Sequence, residues 1–335
     1  MFNTNLNYSK IGIGTYLGEP NQSVDDKIYN VITKAINHGI NLIDTAPNYR
    51  CERSEKVIGK ILEKYNREKI IISTKVGFLP FDNNLSRNYD EYFQSKFIDS
   101  GIIPKDGVYG DWQSFHPDYI DWQLNQSLKR LNTDYIDIYY LHNPDELLEF
   151  MEEDRFYSII YDAFKFLDKM ITLGKIKYIG ISTWTGFLMG DNYLDLNKII
   201  EISREALSSD NFKFIQVPYN LAMTDYLTKK TQLDIGSNDF FSLMYLAESN
   251  SIDVITSAPL YHGKLIEIKF PKTLKNILND TTTNAELSLR FSMSNPGSNS
   301  ILLGVTDLSH LDEAISLLGK DLIHIDDYSK ILMGE

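Results

Sequence analysis

Four side chains in this chain are spaced so that together they could move a proton: Asp44, Tyr49, Lys75 and His142. Three of them close short apolar runs: Leu42-Ile43-Asp44, Ile70-Ile71-Ile72-Ser73-Thr74-Lys75, and Tyr135-Ile136-Asp137-Ile138-Tyr139-Tyr140-Leu141-His142. Tyr49 follows Asp44 by five positions, across the Pro-containing stretch Thr45-Ala46-Pro47-Asn48. Apolar runs that end in a polar residue and turn punctuation read as buried strands entering loops. A lysine at the inner end of such a strand is costly unless paired, and Asp44 is its natural carboxylate. A tyrosine is a poor acid near neutrality, with a pKa of about 10. A neighbouring cation stabilises the phenolate and brings proton transfer within reach. Taken singly, Asp44 is a strand-end acid capping a loop and His142 a histidine bonded to backbone. The set of four, three at strand ends and Tyr49 in the loop after the first, points to proton chemistry.

The elements that must hold these residues alternate regularly. Ile11-Gly12-Ile13-Gly14-Thr15-Tyr16 reads as a first strand, whose GxG lacks the third glycine and helix of a dinucleotide fingerprint. Val24 to His38 has helical apolar spacing and stops at Gly39. After the Asp44 strand, Ser54 is expected to cap a helix that carries Val57, Ile58, Ile61 and Leu62. The Lys75 strand follows. Residues 78–117 then interrupt the pattern with a long Asn-, Asp-, Gly- and aromatic-rich segment, expected to be a lid or insert.

The alternation resumes with helices around Ile120–Leu131 and Phe156–Met170, and with strands Ile176–Thr183 and Phe214–Gln216. A helix is expected around Phe240, Phe241, Met244 and Ala247. Strands Asp253–Leu260 and Ser300–Val305 then frame a helix from Asn284 to Ser294, and Ser309 to Leu318 forms a last helix. About eight β/α units predict an α/β fold, a single (β/α)8 TIM barrel over residues 1–335 with long loops at its C-terminal face.

In order and setting, Asp44, Tyr49, Lys75 and His142 resemble the catalytic tetrad of the aldo-keto reductase superfamily, and the resemblance covers nearly the whole chain. It implies an NAD(P)H-dependent oxidoreductase that interconverts a carbonyl and an alcohol. Tyr49 would be the general acid/base, Lys75 the cation beside it, Asp44 the anchor of Lys75, and His142 a neutral donor that orients the substrate oxygen. The run Tyr139-Tyr140-Leu141-His142-Asn143-Pro144, with Ser182-Thr183-Trp184 downstream, looks like a bacterial subgroup.

The resemblance also implies a cofactor site. Ser182 and Gln216 match residues that bind the nicotinamide carboxamide, and Thr183 stands where asparagine is usual. Ser257 stands in Thr256-Ser257-Ala258, where many members stack a tyrosine on the ring; Trp184 and Tyr219 are candidate replacements. The far end of the cofactor would run along Gly304, Thr306, Ser309, His310 and Glu313. Backbone amides at the start of the last helix suit a phosphate there. Relatives that prefer NADP usually add Lys or Arg in this stretch. Here Asp307 disfavours an extra phosphate, and Ala314 departs from a Glu-Asn pair that Glu313 would begin. NADP(H) is expected as cofactor, with NAD(H) possible.

A net charge of -13 disfavours nucleic acid or an anionic membrane as partner. Met1-Phe2-Asn3-Thr4-Asn5 carries no signal-peptide pattern, and no apolar run approaches the length of roughly 18–20 residues that a membrane helix needs. The single cysteine, Cys51, fits a reducing, cytoplasmic compartment. The six histidines have no metal-ligand spacing, so no metal is expected. The expected partner is a small polar carbonyl or sugar-like molecule. The alternative is a barrel that binds nicotinamide as a sensing or assembly subunit without turnover.

Overall fold

The computed structural model describes residues 4–81, 88–110, 112–270, 272–278, 280–281 and 283–334. Its strands are β1 (Ile11–Gly14), β2 (Leu42–Asp44), β3 (Ile71–Val76), β4 (Ile136–His142), β5 (Ile176–Ser182), β6 (Phe212–Pro218), β7 (Gln232–Asp234), β8 (Asp239–Phe241), β9 (Asp253–Ser257) and β10 (Ser300–Gly304). Eight of them close a barrel in the order β1-β10-β9-β6-β5-β4-β3-β2, parallel at every seam. β7 and β8 form a separate antiparallel hairpin in the connection after β6. The expected (β/α)8 barrel is therefore the observed one.

Side-chain alternation along the strands explains both the core and the site. One parity of each strand faces the helices and joins the large outer core, as Ile43, Ile72, Tyr139, Leu141, Ile179, Ile181, Ile215 and Val217 do. The other parity fills the barrel interior: Leu42, Ile71, Ile138, Tyr140, Phe214, Ile255 and Leu302 pack there with Leu6 and Tyr8. Tyr8, just before β1, sits at the N-terminal end, where its hydroxyl donates to Asp253 Oδ2 at 2.6 Å. Continuing the inward parity upward gives Asp44, Lys75, His142, Ser182 and Gln216 at the C-terminal mouth. Their pairing register is direct, with His142 beside Ser182 and Ser182 beside Gln216.

The helices follow their local signals, with some corrections. Asn21 caps the helix Gln22–Asn37 by accepting from Val24 N at 3.0 Å. Ser54 does not cap the next helix, Arg53–Leu62, whose N-cap is Glu52 in the left-handed region with no side-chain cap. Ser54 lies inside the helix, and its hydroxyl donates instead to Thr15 O at 2.8 Å. Gly59 is required in this helix because a Cβ there would lie 2.2 Å from Arg130 O of the neighbouring helix Pro117–Leu131. Phe240 and Phe241 belong to β8, not to the helix Leu243–Ser249, which Ser242 caps. Their β propensity and the Gly236-Ser237-Asn238 turn override the short helical pattern.

Residues 82–87 and 111 of the expected lid lie outside the described residues. What is described is anchored: Tyr89–Phe93 is helical, continues as the wider-turned Gln94–Asp99, and buries Tyr92, Phe97, Ile103 and Phe115. A C-terminal helix, Ile325–Met333, adds Tyr328 to the core; its hydroxyl lies 2.7 Å from that of Tyr219. Among the described residues, no helix is long and apolar enough to cross a membrane.

Candidate active site

Asp44, at the end of β2, is buried and receives three side-chain donors. Lys75 Nζ reaches its Oδ2 at 2.7 Å, while Ser73 Oγ and Gln216 Nε2 reach its Oδ1 at 2.7 and 2.9 Å. Lys75 is fully buried and also donates to Thr45 O at 3.0 Å. Burial alone would lower the pKa of this ammonium, but the negative charge of Asp44 and the phenol of Tyr49 outweigh that and hold it above its ordinary value. Lys75 is therefore a fixed positive charge at the barrel mouth.

Tyr49 lies above it, partly exposed, with the Lys75 ammonium 4.9 Å from its ring centroid. The sequence leads one to expect the cation to lower the phenol's pKa. In the structure burial raises it and Lys75 pulls the other way, and burial prevails. At neutral pH Tyr49 is thus a protonated phenol. The imidazole of His142 lies across from it, ring centroids 6.0 Å apart and nearly perpendicular. Burial, and then the charge on Lys75, hold His142 well below its ordinary pKa, so it is neutral. Two further aromatics flank the pair: Tyr16 packs edge-on against Tyr49 at 5.2 Å, and Phe78 against His142 at 4.9 Å.

The residues expected to hold a cofactor separate into three groups. Ser182 Oγ donates to Gln216 Oε1 at 2.9 Å, so the two amide and hydroxyl groups form one polar edge beside Asp44. Thr183 is committed elsewhere. Its hydroxyl donates to the buried Asp145 at 2.6 Å and accepts from Gly186 N at 3.0 Å. Asp145 was not singled out in the sequence, although its place three residues after His142 put it within reach.

The last group lies at the far side of the mouth. Gly304, His310 and Glu313 line a cavity of ≈ 320 Å³ with Leu260, Thr283 and Asn284. Thr306 and Ser309 are not among its lining residues. Ser309 N and Oγ both donate to Asp307 Oδ1, at 2.8 and 2.6 Å, so a carboxylate occupies the helix start where a phosphate was expected. Those two hydrogen bonds, through the Ser309 hydroxyl first, keep Asp307 below its ordinary pKa.

Of the other candidates for ring stacking, Tyr219 is buried against Phe291 and belongs to the core. Trp184 is exposed and stacks on His262 at 5.6 Å, joining the ends of β5 and β9. Ser257 ends β9 and, through its carbonyl, accepts from Tyr219 N at 3.0 Å. A larger cavity of ≈ 1010 Å³, lined by residues such as Glu149, Asp191, Asn192 and Lys230, contains none of the tetrad residues. Among the described residues, no group of three or more His, Cys, Asp or Glu side chains could hold a metal ion.

Comparison with known proteins agrees with this architecture. The model of the Aldo/keto reductase family matches residues 10–332. Among similar proteins, aldo-keto reductase YhdN of Bacillus subtilis (strain 168) is 31% identical over 186 residues, 54% of this chain and 45% of that protein. The match thus spans less than half of that relative's length. The NADH-specific methylglyoxal reductase of Escherichia coli (strain K12) is 28% identical over 267 residues, covering 78% of this chain and 67% of the other. A solved structure of an aldo/keto reductase from Klebsiella pneumoniae, in complex with NADP and acetate, superposes with a TM-score of 0.66 at 18% identity, over 97% of this chain and 90% of that one. On the family match over nearly its whole length, this chain belongs to the aldo/keto reductase family.

Proposed function

We propose that this protein is an NAD(P)H-dependent oxidoreductase that reduces a small carbonyl compound, with Tyr49 as the proton donor. One observation carries the reading: a buried lysine tied to Asp44 lies under the ring of a tyrosine that faces a histidine. A dinucleotide fits the residues present. Ser182 and Gln216 offer a carboxamide one hydroxyl and one amide at the mouth, and the cavity along Gly304, His310 and Glu313 has room for the far end.

When bound, the nicotinamide supplies or removes a hydride at the substrate carbon. The remaining work falls to the chain. His142, neutral and held by Phe78, offers an N–H that orients the carbonyl oxygen. The Tyr49 hydroxyl gives its proton to that oxygen as negative charge develops on it, and Lys75 stabilises the phenolate left behind. Asp44 holds Lys75 charged and in place. In the reverse direction Tyr49 phenolate takes the alcohol proton.

A small, polar carbonyl is the favoured substrate class, and the similarity to a methylglyoxal reductase supports a short aldehyde as first probe. The test is a turnover panel of aldehydes, ketones and sugars with both reduced cofactors, run on the parent and on Tyr49→Phe. Loss of a positioned acid typically lowers the rate about 10²–10⁴-fold. Tyr49→Phe should show that loss while binding cofactor as the parent does. A Tyr49→Phe protein that keeps more than about half its turnover would sink the assignment. Tight cofactor binding with no turnover on any panel member would favour a sensing or assembly role instead.

A further inference from the structure

The turn that carries Tyr49 is built in an unusual way. Arg50, Cys51 and Glu52, the three residues after it, have φ of 52, 54 and 65°, all in the left-handed region. No glycine relieves any of them, so the backbone is strained at three consecutive positions. Something must hold it there.

The side chains show what does. Arg50 is buried, and its Nη2 donates to Asp25 Oδ1 at 2.6 Å, to Glu19 O at 3.0 Å and to Asn21 O at 3.2 Å, with Nε on Glu19 O at 3.2 Å. Its other amino nitrogen, Nη1, has no protein partner. Arg53 adds two further bonds to Asp25, from Nη2 to Oδ2 and from Nε to Oδ1 at 3.2 Å, and Glu52 is held by Arg130 Nη1 at 2.9 Å. The carbonyls that Arg50 grips belong to residues 15–21, the segment that also carries Tyr16, whose ring packs on Tyr49. Thr15 in turn bonds to Asp44 O through its amide and hydroxyl.

A buried ion pair with an unpartnered nitrogen, holding three strained residues, is poor design for stability alone. What it secures is the position of the residue just before it. We propose that the Asp25–Arg50 pair is a positioning device for Tyr49: it clamps the strained turn to the first helix and so fixes the phenol over Lys75. The proposal rests on the reading of Tyr49 as proton donor. In this role Asp25 and Arg50 act on neither substrate nor the reacting atoms but through the backbone of the turn. A phenol displaced by about 1 Å is enough to lower a rate about 10²-fold.

The experiment compares the parent with Arg50→Met, Arg50→Lys, Asp25→Asn and Tyr49→Phe, using methylglyoxal or whichever panel carbonyl the parent reduces fastest. Cofactor dissociation constants are read separately, by fluorescence. Arg50→Met should lower kcat about 10–100-fold, with KM and the NADPH dissociation constant within about twofold of the parent. Arg50→Lys, which keeps the charge but loses the fork, should recover part of that loss. Asp25→Asn should fall between them, and its cost in the Arg50→Met background should be smaller than in the parent, what remains being the loss of Arg53's partner. If Arg50→Met does not fold, Arg50→Lys and Asp25→Asn decide the matter by the same split between kcat and KM. Parent-like kcat in the folded variants, with Tyr49→Phe inactive, would overturn the clamp and leave the proton donor standing. A loss of kcat matched by an equal loss of cofactor affinity would also overturn it, marking a general structural role. A Tyr49→Phe protein that remains active would remove the proton-donor reading and the clamp with it.

Discussion

Gln216 Nε2 donates to Asp44 Oδ1 at 2.9 Å, across the barrel mouth from β6 to β2. The same amide accepts from Ser182 through its oxygen. Asp44 is therefore the point at which the lysine–tyrosine pair and the polar edge proposed for the nicotinamide meet. Its two oxygens are divided between these tasks, Oδ2 to Lys75 and Oδ1 to Ser73 and Gln216. A change on one side is felt on the other through one carboxylate.

That division bears on Lys75→Met. Removing one partner of a buried ion pair typically costs about 3–5 kcal/mol, because the remaining charge is left uncompensated. Here Ser73 and Gln216 still donate to Asp44, so the loss should lie at the lower end, about 3 kcal/mol. Denaturant unfolding of Lys75→Met, Asp44→Asn and the double variant measures it. The double variant should be more stable than Lys75→Met alone. Strict additivity of the two single losses would show that the pair is not coupled.

Protonated Tyr49 gives a direction to the pH dependence. With Tyr49 as the proposed proton donor, reduction would require the phenol, and burial raises its pKa above the ordinary value, so the reduction rate should stay level through neutrality and fall only in the alkaline range. On the same proposal oxidation would require phenolate, so its rate should rise with pH over the same interval. Steady-state profiles in both directions check this. A reduction limb that falls between about pH 7 and 8 would place the proton elsewhere.

With the far end of the cofactor placed in the cavity at Gly304, as proposed, cofactor choice would follow from its lining. Its lining offers His310 and Glu313 but neither Lys nor Arg, and Asp307 stands at the helix start. NADPH and NADH should therefore differ in affinity by about tenfold or less, roughly 1.4 kcal/mol. Dissociation constants that differ by several orders of magnitude would mean that another cation reaches the extra phosphate. Lys264, whose ammonium lies over the Tyr261 ring, and Lys269 are the first to replace.

The parts of this molecule that were legible in the sequence are those governed by local pattern. Period-two inward parity and apolar runs fixed in advance that Asp44, Lys75, His142 and Gln216 would meet at one end of a barrel. What was not legible depends on long-range partners. Thr183 turns to Asp145 because a buried carboxylate across the β4–β5 seam competes for its hydroxyl. Ser54 looks like a cap, but Thr15 O claims it, and the helix starts from a left-handed Glu52 instead. The pKa of Tyr49 moves opposite to the expectation because burial, which no short window reports, outweighs the neighbouring cation. Arg50 carries no local signal of its role, which depends on the fold laying the first helix beside it.

Asp145 supplies a prediction about stability and pH. It is buried at the edge of the mouth, its Oδ1 bonded to Thr183, with Glu146 and Glu149 as acidic neighbours and Tyr226 nearby. Burial pushes its carboxyl from 3.8 up to about 6, against the pull of the Thr183 hydroxyl. A folded-state pKa above the unfolded one means that the native protein binds the extra proton. The associated stability is full below the unfolded pKa and is lost as pH rises through about 6. Two pKa units correspond to roughly 3 kcal/mol. Asp145→Asn keeps an acceptor for Thr183 and cannot ionise, so its stability has no such dependence on pH. His142 acts in the opposite sense: its lowered pKa costs stability as pH falls below the ordinary histidine value, but it does so in both proteins and cancels in the difference. Urea unfolding of parent and Asp145→Asn at several pH values from about 4 to 7 should therefore show the parent losing ground by up to roughly 3 kcal/mol across that range. A difference that does not change with pH would mean that Asp145 ionises as readily in the fold as outside it, and the hydrogen bond to Thr183 would then be one between a charged acceptor and a hydroxyl at every pH of interest.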